Sequence, residues 1–335
     1  MSVINNDLIA DRTEAISRVP AKPGLISSMG FFKPRMSAQD NITFDIRDGS
    51  IKTLSDKLRS TADKNTVADR EYAQHVLKIP HWPQSSLISR DNIAGIRAFD
   101  SEGQAQLASV IAEHLEDHAE NIDLHLEHIQ NKMLFDAKLV TDNYGTYDLA
   151  EEFGVQQGQK TLSYSQPGDT LKQFRELQNE GKAGLISGRS SGYVLFASED
   201  LFEWLVANGD LVRAFELGMA GPNPLVNEMG DVGAGYQAIN FGGTTIINYN
   251  DTFTLASGSK DSILAPGAGL FVPRTQVGKT FYGPENSMTG LSRGGARSFA
   301  KTIRDPRDRY VEVTSETNAL PILESVGATI KVDFA

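Results

Sequence analysis

The sequence predicts an α+β fold, and three observations carry that assignment. Apolar residues recur at helical spacing over residues 101–139. A β-type alternation, Ile42, Phe44 and Ile46, precedes them. Strand-like runs return at residues 310–313 and 329–334.

In chain order, residues 1–30 read as an arm. Leu8, Ala15, Ile16 and Val19 suggest one short amphipathic helix, which Pro20 and Pro23 stop. Gly24 and Gly30 then flank a stretch of small residues. Phe31 and Phe32 lead into the Ile42, Phe44, Ile46 strand, and Asp48-Gly49 reads as a turn followed by Ile51, Thr53 and Leu54. Residues 56–70 are polar and of mixed charge. Residues 72–79 are again apolar and β-branched, and Pro80-His81-Trp82-Pro83 ends them. The pattern is a long hairpin-like excursion with a solvated tip. Such a hairpin cannot bury itself and needs the parent domain or another chain.

The helical signal is the strongest in the chain. Ser101 and Gln104 form an S-x-x-Q capping box, and Leu107, Ile111, Leu115, Ile122, Leu126, Ile129 and Met133 follow at helical spacing. Roughly 38 helical residues span ~57 Å. A compact globule of this chain length is only ~50 Å across. The helix therefore predicts an elongated or flat subunit.

Beyond Gly145 the elements shorten. Asp169 is expected to cap a helix containing Leu171, Phe174 and Leu177 and ending at Gly181. Residues 193–196 read as a buried strand. Ser198 starts a helix with Leu201, Phe202 and Leu205, Asn208-Gly209-Asp210 breaks it, and Leu211, Val212 and Phe215 resume it. Residues 218–295 are rich in Gly and Pro, with strands at 244–249 and 269–272.

Composition narrows the function. Of 335 residues 40% are hydrophobic, too many for a disordered chain. There is no run of about 18 apolar residues for a membrane span, and the start lacks a signal-peptide pattern. With no Cys there is no disulfide frame, thiolate site or cysteine nucleophile. The net charge of −11 argues against nucleic-acid binding by the average surface.

Several motifs tempt and are incomplete. His114, His118, His125 and His128 lie in one stripe of the long helix, and His114-Leu-Glu-Asp-His118 is similar to an inverted zincin motif with Asp117 in the Glu place. The plainer reading, a polar flank facing a neighbour with some pH sensitivity, is preferred over zinc. Gly188-Arg-Ser190-Ser-Gly192 matches a nucleophile elbow, but a strand follows it where a helix is required. Gly278-Lys279-Thr280 ends like a P-loop whose first Gly position is Pro273. Gly233-Ala-Gly235 lacks the preceding strand of a dinucleotide site. Ser257 to Lys260 fits S-x-x-K without its companion motifs. No cofactor or metal is expected.

Charge is uneven. Between Asp100 and Asn131 lie eight acids, Glu120 and Asp123 among them, and no Lys or Arg. Between Arg274 and Arg309 lie eight bases, including Arg297 and Arg304, against three acids. One reading of the basic segment is a nucleic-acid patch with Tyr282, Phe299 and Tyr310 as stacking rings. The preferred reading pairs it with the acidic helix of the same or a neighbouring chain.

The order of these parts resembles the tailed-phage major capsid proteins of the lambda protein E-like family, with the Hong Kong 97 phage fold. Gly30-Phe31-Phe32 and the Ile42, Phe44, Ile46 strand resemble the opening of that family's E-loop, and the polar stretch before Pro80 its tip and return. The helix from Ser101 is similar to the spine helix of the P-domain. Residues 199–215, 246–249, Ala265-Pro-Gly267 and Phe281-Tyr-Gly-Pro-Glu285 are similar to the A-domain, and residues 316–322 and 328–332 to the family's closing strand. Ala319-Leu320-Pro321 departs from that family's Pro-Leu order.

The resemblance implies an arm over 1–30, an E-loop and return strand over 31–90, a P-domain with spine helix over 91–150, an A-domain over 151–300 and P-domain closing strands over 301–335. It implies a shell subunit and not an enzyme. The subunit would assemble with itself as hexamers and pentamers into the icosahedral head of a double-stranded DNA phage. Scaffold, portal and decoration proteins are further candidate partners, the packaged DNA would be held weakly, and no membrane is involved. The expected location is the virion, after assembly in the host cytoplasm. Candidate assembly contacts are Phe31, Phe32, Ile42, Phe44, Ile46, His118, Glu120, Asp123, His125, Arg297 and Arg304. Two alternatives stay open: an encapsulin-like nanocompartment shell, and, more weakly, a metal-dependent or serine hydrolase using the His stripe or Ser190.

Overall fold

The computed structural model describes residues 9–20, 24–48, 71–89, 103–186, 188–216, 236–255, 257–288 and 294–335. The predicted hairpin tip at 56–70, the Ser101 end of the capping box and Gly233-Ala-Gly235 lie outside the described residues.

The arm holds more structure than its sequence suggests. A strand, β1 (Ile9–Asp11), precedes the expected helix, α1 (Thr13–Arg18), which buries Ile16. The small-residue stretch is itself a helix, α2 (Leu25–Met29), with Leu25 and Ile26 buried. Five residues are too few to display a helical period. Gly30 closes α2 at φ 71°, a left-handed conformation that costs glycine nothing. β2 (Phe32–Met36) follows.

The alternating segment is β3 (Asn41–Asp48), antiparallel to β4 (Glu71–Lys78) over eight positions from Asn41↔Lys78 to Asp48↔Glu71. The two form a sheet of their own. β5 (Trp82–Ser89) returns the chain to the main body.

The long helix is α3 (Gly103–Asp136), 34 residues without a break and so about 50 Å long. It ends three residues before the predicted limit. Ala137 turns the chain at φ 52° into the hairpin β6 (Lys138–Thr141) and β7 (Gly145–Asp148). After α4 (Leu149–Phe153) and β8 (Gly158–Leu162) comes α5 (Asp169–Ala183).

Asp169 is not the cap of α5. Gly168 occupies that place, and the Asp210 carboxylate accepts the Gly168 and Thr170 N–H groups at 2.7 and 3.0 Å. Gly181 lies inside the helix, where a Cβ would sit 3.3 Å from Phe271, and the turn ends at Gly184. Next are β9 (Tyr193–Ala197), α6 (Glu199–Val206) and α7 (Gly209–Glu216). The strands β10 (Ala238–Phe241), β11 (Thr244–Asn248), β12 (Thr252–Thr254), β13 (Lys260–Ser262), β14 (Gly269–Pro273) and β15 (Gly278–Tyr282) follow. The chain closes with β16 (Phe299–Arg304), β17 (Tyr310–Thr317), β18 (Ala319–Leu323) and β19 (Ile330–Phe334).

Two sheets organise these elements. A four-stranded sheet, β1-β16-β17-β5, packs beside α3. A six-stranded sheet, β10-β11-β9-β14-β19-β8, carries α5 to α7. The strand period of two divides the core along β9. Val194 and Phe196 join the apolar cluster around α3, whereas Leu195 and Ala197 join the cluster under α5 and α6. The segment 301–335 therefore does not stay in one sheet. β16 and β17 lie beside α3, but β19 pairs with β14 and β8 in the six-stranded sheet. Likewise β15, within 151–300, pairs with β2 from the start of the chain and with β18. The strand ladder, not sequence order, sets the two halves.

Candidate assembly surface

The described side-chain contacts of the hairpin β3–β4 with the body lie in its root half. Ile79 N–H donates to the Asp40 carbonyl at 2.7 Å, and the Tyr147 hydroxyl donates to the Lys78 carbonyl at 2.7 Å. His75 Nδ1 meets the Glu152 carboxylate at 2.5 Å. Ile42 is buried at this root. Phe44 stands opposite His75 and Ile46 opposite Ala73 in the ladder. Val76 remains 59% exposed.

Phe31 and Phe32 do not lie on the surface. Both are buried within the subunit. Phe31 meets Phe196 edge-on at 6.0 Å, and Phe135 and Tyr249 complete the cluster. These phenylalanines can affect assembly only through the frame they build.

Each residue of the His stripe has its own surroundings. His118 is buried, with Nδ1 2.9 Å from Ser315 Oγ on β17 and Nε2 2.9 Å from Ser86 Oγ on β5. Burial lowers its pKa, and the neighbouring His114 adds to that, against a smaller upward pull from Asp117. His125 lies against the Trp82 ring at 4.3 Å, and His128 Nε2 meets Asp261 at 2.9 Å, an acid shared with Lys132. The stripe thus binds α3 to strands on either side of it. Among the described residues, no three His, Asp or Glu converge as a metal centre.

The serine and glycine motifs resolve similarly. Ser190 follows α5 and precedes β9 without a strand before it, and its hydroxyl bonds to the Gly192 carbonyl. Gly278-Lys279-Thr280 is the start of strand β15, not a phosphate loop.

Four of the eight bases pair with acids outside the long helix. Lys279 pairs with Glu324 at 2.5 Å, Lys301 with Glu285, Arg304 with Asp308 at 2.6 Å and Arg309 with Asp305 at 2.8 Å. Arg297 reaches the acidic helix, 2.5 Å from Asp123 and within one chain. Glu120 lies on the exposed face of α3 with Glu113, Glu116 and Asp117.

The Asp123–Arg297 pair is lopsided, since the Asp side chain is 7% exposed and the Arg 40%. Removing the guanidinium takes an opposite charge from a carboxylate held out of water, and removing the carboxylate leaves an Arg that water can reach. Arg297→Ala is therefore expected to cost about 2–4 kcal/mol and Asp123→Ala about 1–2 kcal/mol. Urea unfolding of the two variants and their double mutant checks this order. Burial of the acid also shields the pair from salt more than an exposed pair.

The open face of the four-stranded sheet carries a cross-strand row: Ile9, Ile303, Glu312 and Leu87. Ile9 is 42% and Leu87 61% exposed. The sequence reading does not reveal this face, because it ends the hairpin at Pro80 to Pro83 and marks no separate strand in 84–89. The alternation of Gln84, Ser86 and Ile88 with Ser85 and Leu87 was the available signal.

The profile of the family described as phage major capsid protein E matches residues 10–334. The major capsid protein of Pseudomonas phage KPP10 is 24% identical to this chain, over 96% of its length and 95% of the relative's. A crystal structure of a prophage protein from E. coli CFT073, assigned as a capsid protein, superposes with a TM-score of 0.64. That likeness covers 98% of this chain and 99% of the other at 12% identity, and it shows a shared fold. The mixed helix-and-sheet architecture is thus the phage capsid fold, Hong Kong 97-like, that the order of sequence elements implied. A match over nearly the whole length settles the family: the chain belongs to the phage major capsid protein E family and is a shell subunit of the virion, not an enzyme.

Proposed function

We propose that copies of this capsid protein close into an icosahedral head of hexamers and pentamers around double-stranded DNA, with the arm and the β3–β4 hairpin reaching neighbouring copies. The observation that carries this is the hairpin itself. It is an eight-position, two-stranded sheet whose described contacts with the body lie in its root half, and an isolated two-stranded hairpin is marginal in water. A neighbouring subunit would supply the missing cover. The Ile9–Leu87 row on the open sheet face offers a second surface for a copy to cover.

The buried Phe31, Phe32, Ile42 and His118 build the tile. Exposed Glu120 on α3 and exposed Arg304 at the end of β16 remain the candidate direct contacts. Repetition by symmetry makes modest contacts collectively strong. A chain of net charge −11 suits weak retention of DNA by the inner wall. Scaffold and portal proteins would act during assembly in the host cytoplasm. The segments 1–30, 31–90, 91–150, 151–300 and 301–335 serve as arm, E-loop, spine, A-domain and closing strands, with β19 lending its pairing to the six-stranded sheet.

Electron microscopy of the purified chain, with and without a co-expressed scaffold, is expected to show closed shells. A compact monomer under every assembly condition overturns the reading. Particles that never package DNA during infection favour the nanocompartment alternative.

A further inference from the structure

Gly24 has ordinary backbone angles, φ −72° and ψ −174°, so conformation does not demand a glycine there. Space does. A Cβ at this position would overlap Glu127 Cγ and Cδ and lie 2.6 Å from Oε1. Glu127 sits on α3, 3% exposed. Its Oε1 accepts the Ile26 N–H at 2.6 Å and its Oε2 the Ser27 N–H at 2.9 Å. α2 has no capping side chain of its own, and its open N–H groups are satisfied by an acid about a hundred residues away.

Neighbours hold that acid in place. Gln130 accepts from Ser27 Oγ at 2.8 Å and donates to Thr280 Oγ1 at 3.1 Å. Asn131 donates to the Glu127 carbonyl at 2.9 Å and accepts from the Tyr249 hydroxyl at 2.8 Å. The contacts thus run from α2 through α3 to β15 and to Tyr249 beside β11.

We infer that Glu127, with Gly24 as its fitted partner, is the positioning residue that fixes the root of the N-terminal arm on the spine helix. Among the described residues, no side chain of α2 caps its own N-terminal end. Residues 9–20 have an attachment of their own, β1 on β16 and α1 against β16 and α3, so what this carboxylate seats is α2 itself. The consequence for the shell rests on the assembly reading above, because an arm seated wrongly would misplace its contacts with neighbouring copies.

The test separates the two ideas. Hydrogen exchange is measured on the unassembled full-length chain carrying Gly24→Ala, Glu127→Ala, both changes, or Glu127→Gln. Shell formation is scored in parallel by electron microscopy. Losing a charged buried acceptor is expected to speed exchange over residues 24–30 about tenfold or more, with α5 unchanged. Gly24→Ala alone is expected to move the same amides. In the Glu127→Ala background it should add less than about twofold, since the group it strikes is gone. Glu127→Gln keeps one acceptor and turns an NH2 toward the other amide, so one of Ile26 and Ser27 stays protected and the other opens.

Independent, multiplicative effects of the two substitutions overturn the inference. So does a Gln variant that protects both amides as well as the wild type. If Glu127→Ala does not fold, Gly24→Ala decides: a local rise over 24–30 supports the pair, and a global rise overturns it. Failure of the wild type to form shells removes the assembly reading and leaves the exchange result standing.

Discussion

Phe196→Ala is expected to destabilise the subunit by about 3–5 kcal/mol, the usual loss for truncating a fully buried aromatic. Phe196 is 0% exposed and touches three rings from three different parts of the chain. Phe31 follows α2 and lies at 6.0 Å, Phe135 ends α3 and lies at 5.5 Å, and Tyr249 follows β11 and lies at 5.5 Å edge-on. Phe135 and Tyr249 also stack on each other at 5.7 Å. Such pairs add about 0.5–1.5 kcal/mol beyond area burial. A domain's whole stability is only about 5–15 kcal/mol.

The location matters as much as the magnitude. This cluster joins the half built around α3 to the six-stranded half. The chain's two tryptophans report on each: Trp82 stands on β5, and Trp204 on α6 stacks against Phe334 at 5.3 Å. Guanidinium unfolding of single-tryptophan forms is expected to give coincident curves in the wild type. In Phe196→Ala the two curves should part, because the joint has been cut before either half. Phe196→Leu should cost less and keep them together. Coincident curves in Phe196→Ala would show that the cluster is ordinary core and not the joint.

Long elements were legible because their periods repeat. The α3 stripe from Leu107 to Met133 shows seven apolar turns, and the Ile42, Phe44, Ile46 alternation fixed β3 in register with β4. Short or distant devices were not. α2 has too few residues to show a period, and its cap is Glu127, which sequence separation hides. Asp169 offered a local cap for α5, but Asp210 from the next helix pair took the amides. β18 contains Pro321, which argues against a central strand, and the strand is indeed at the edge of its three-stranded sheet. The charge pattern pointed to pairing of the two opposed segments, and Asp123–Arg297 is such a pair within one chain. Local acids such as Asp305 and Asp308 take the arginines beside them.

His125 makes the subunit acid-sensitive. Its Nε2 is buried without a hydrogen-bond partner, and the ring lies on Trp82 at 4.3 Å. Burial pushes its pKa down to about 4, and the nearby His128 adds to that. In the unfolded chain the imidazole titrates near 6.5. Between these values the unfolded state holds the extra proton, so stability rises with pH there and is lost as pH falls from 6.5 toward 4. The shift of about 2.5 units corresponds to about 3 kcal/mol. A protonated imidazole over the indole face regains about 0.5–2 kcal/mol as a cation–π contact, which leaves a net loss of about 1–3 kcal/mol. His125→Phe keeps a ring on Trp82 and removes the titration. Urea midpoints of both proteins at several pH values from 7 to 4 give the difference directly, and His118 and Glu127, which also titrate from buried positions, cancel in it. The wild type is expected to lose stability relative to the Phe variant across that window. A difference that stays flat from pH 7 to 4 would show that His125 keeps its proton equilibrium unchanged on folding, and the acid sensitivity would then belong to other groups.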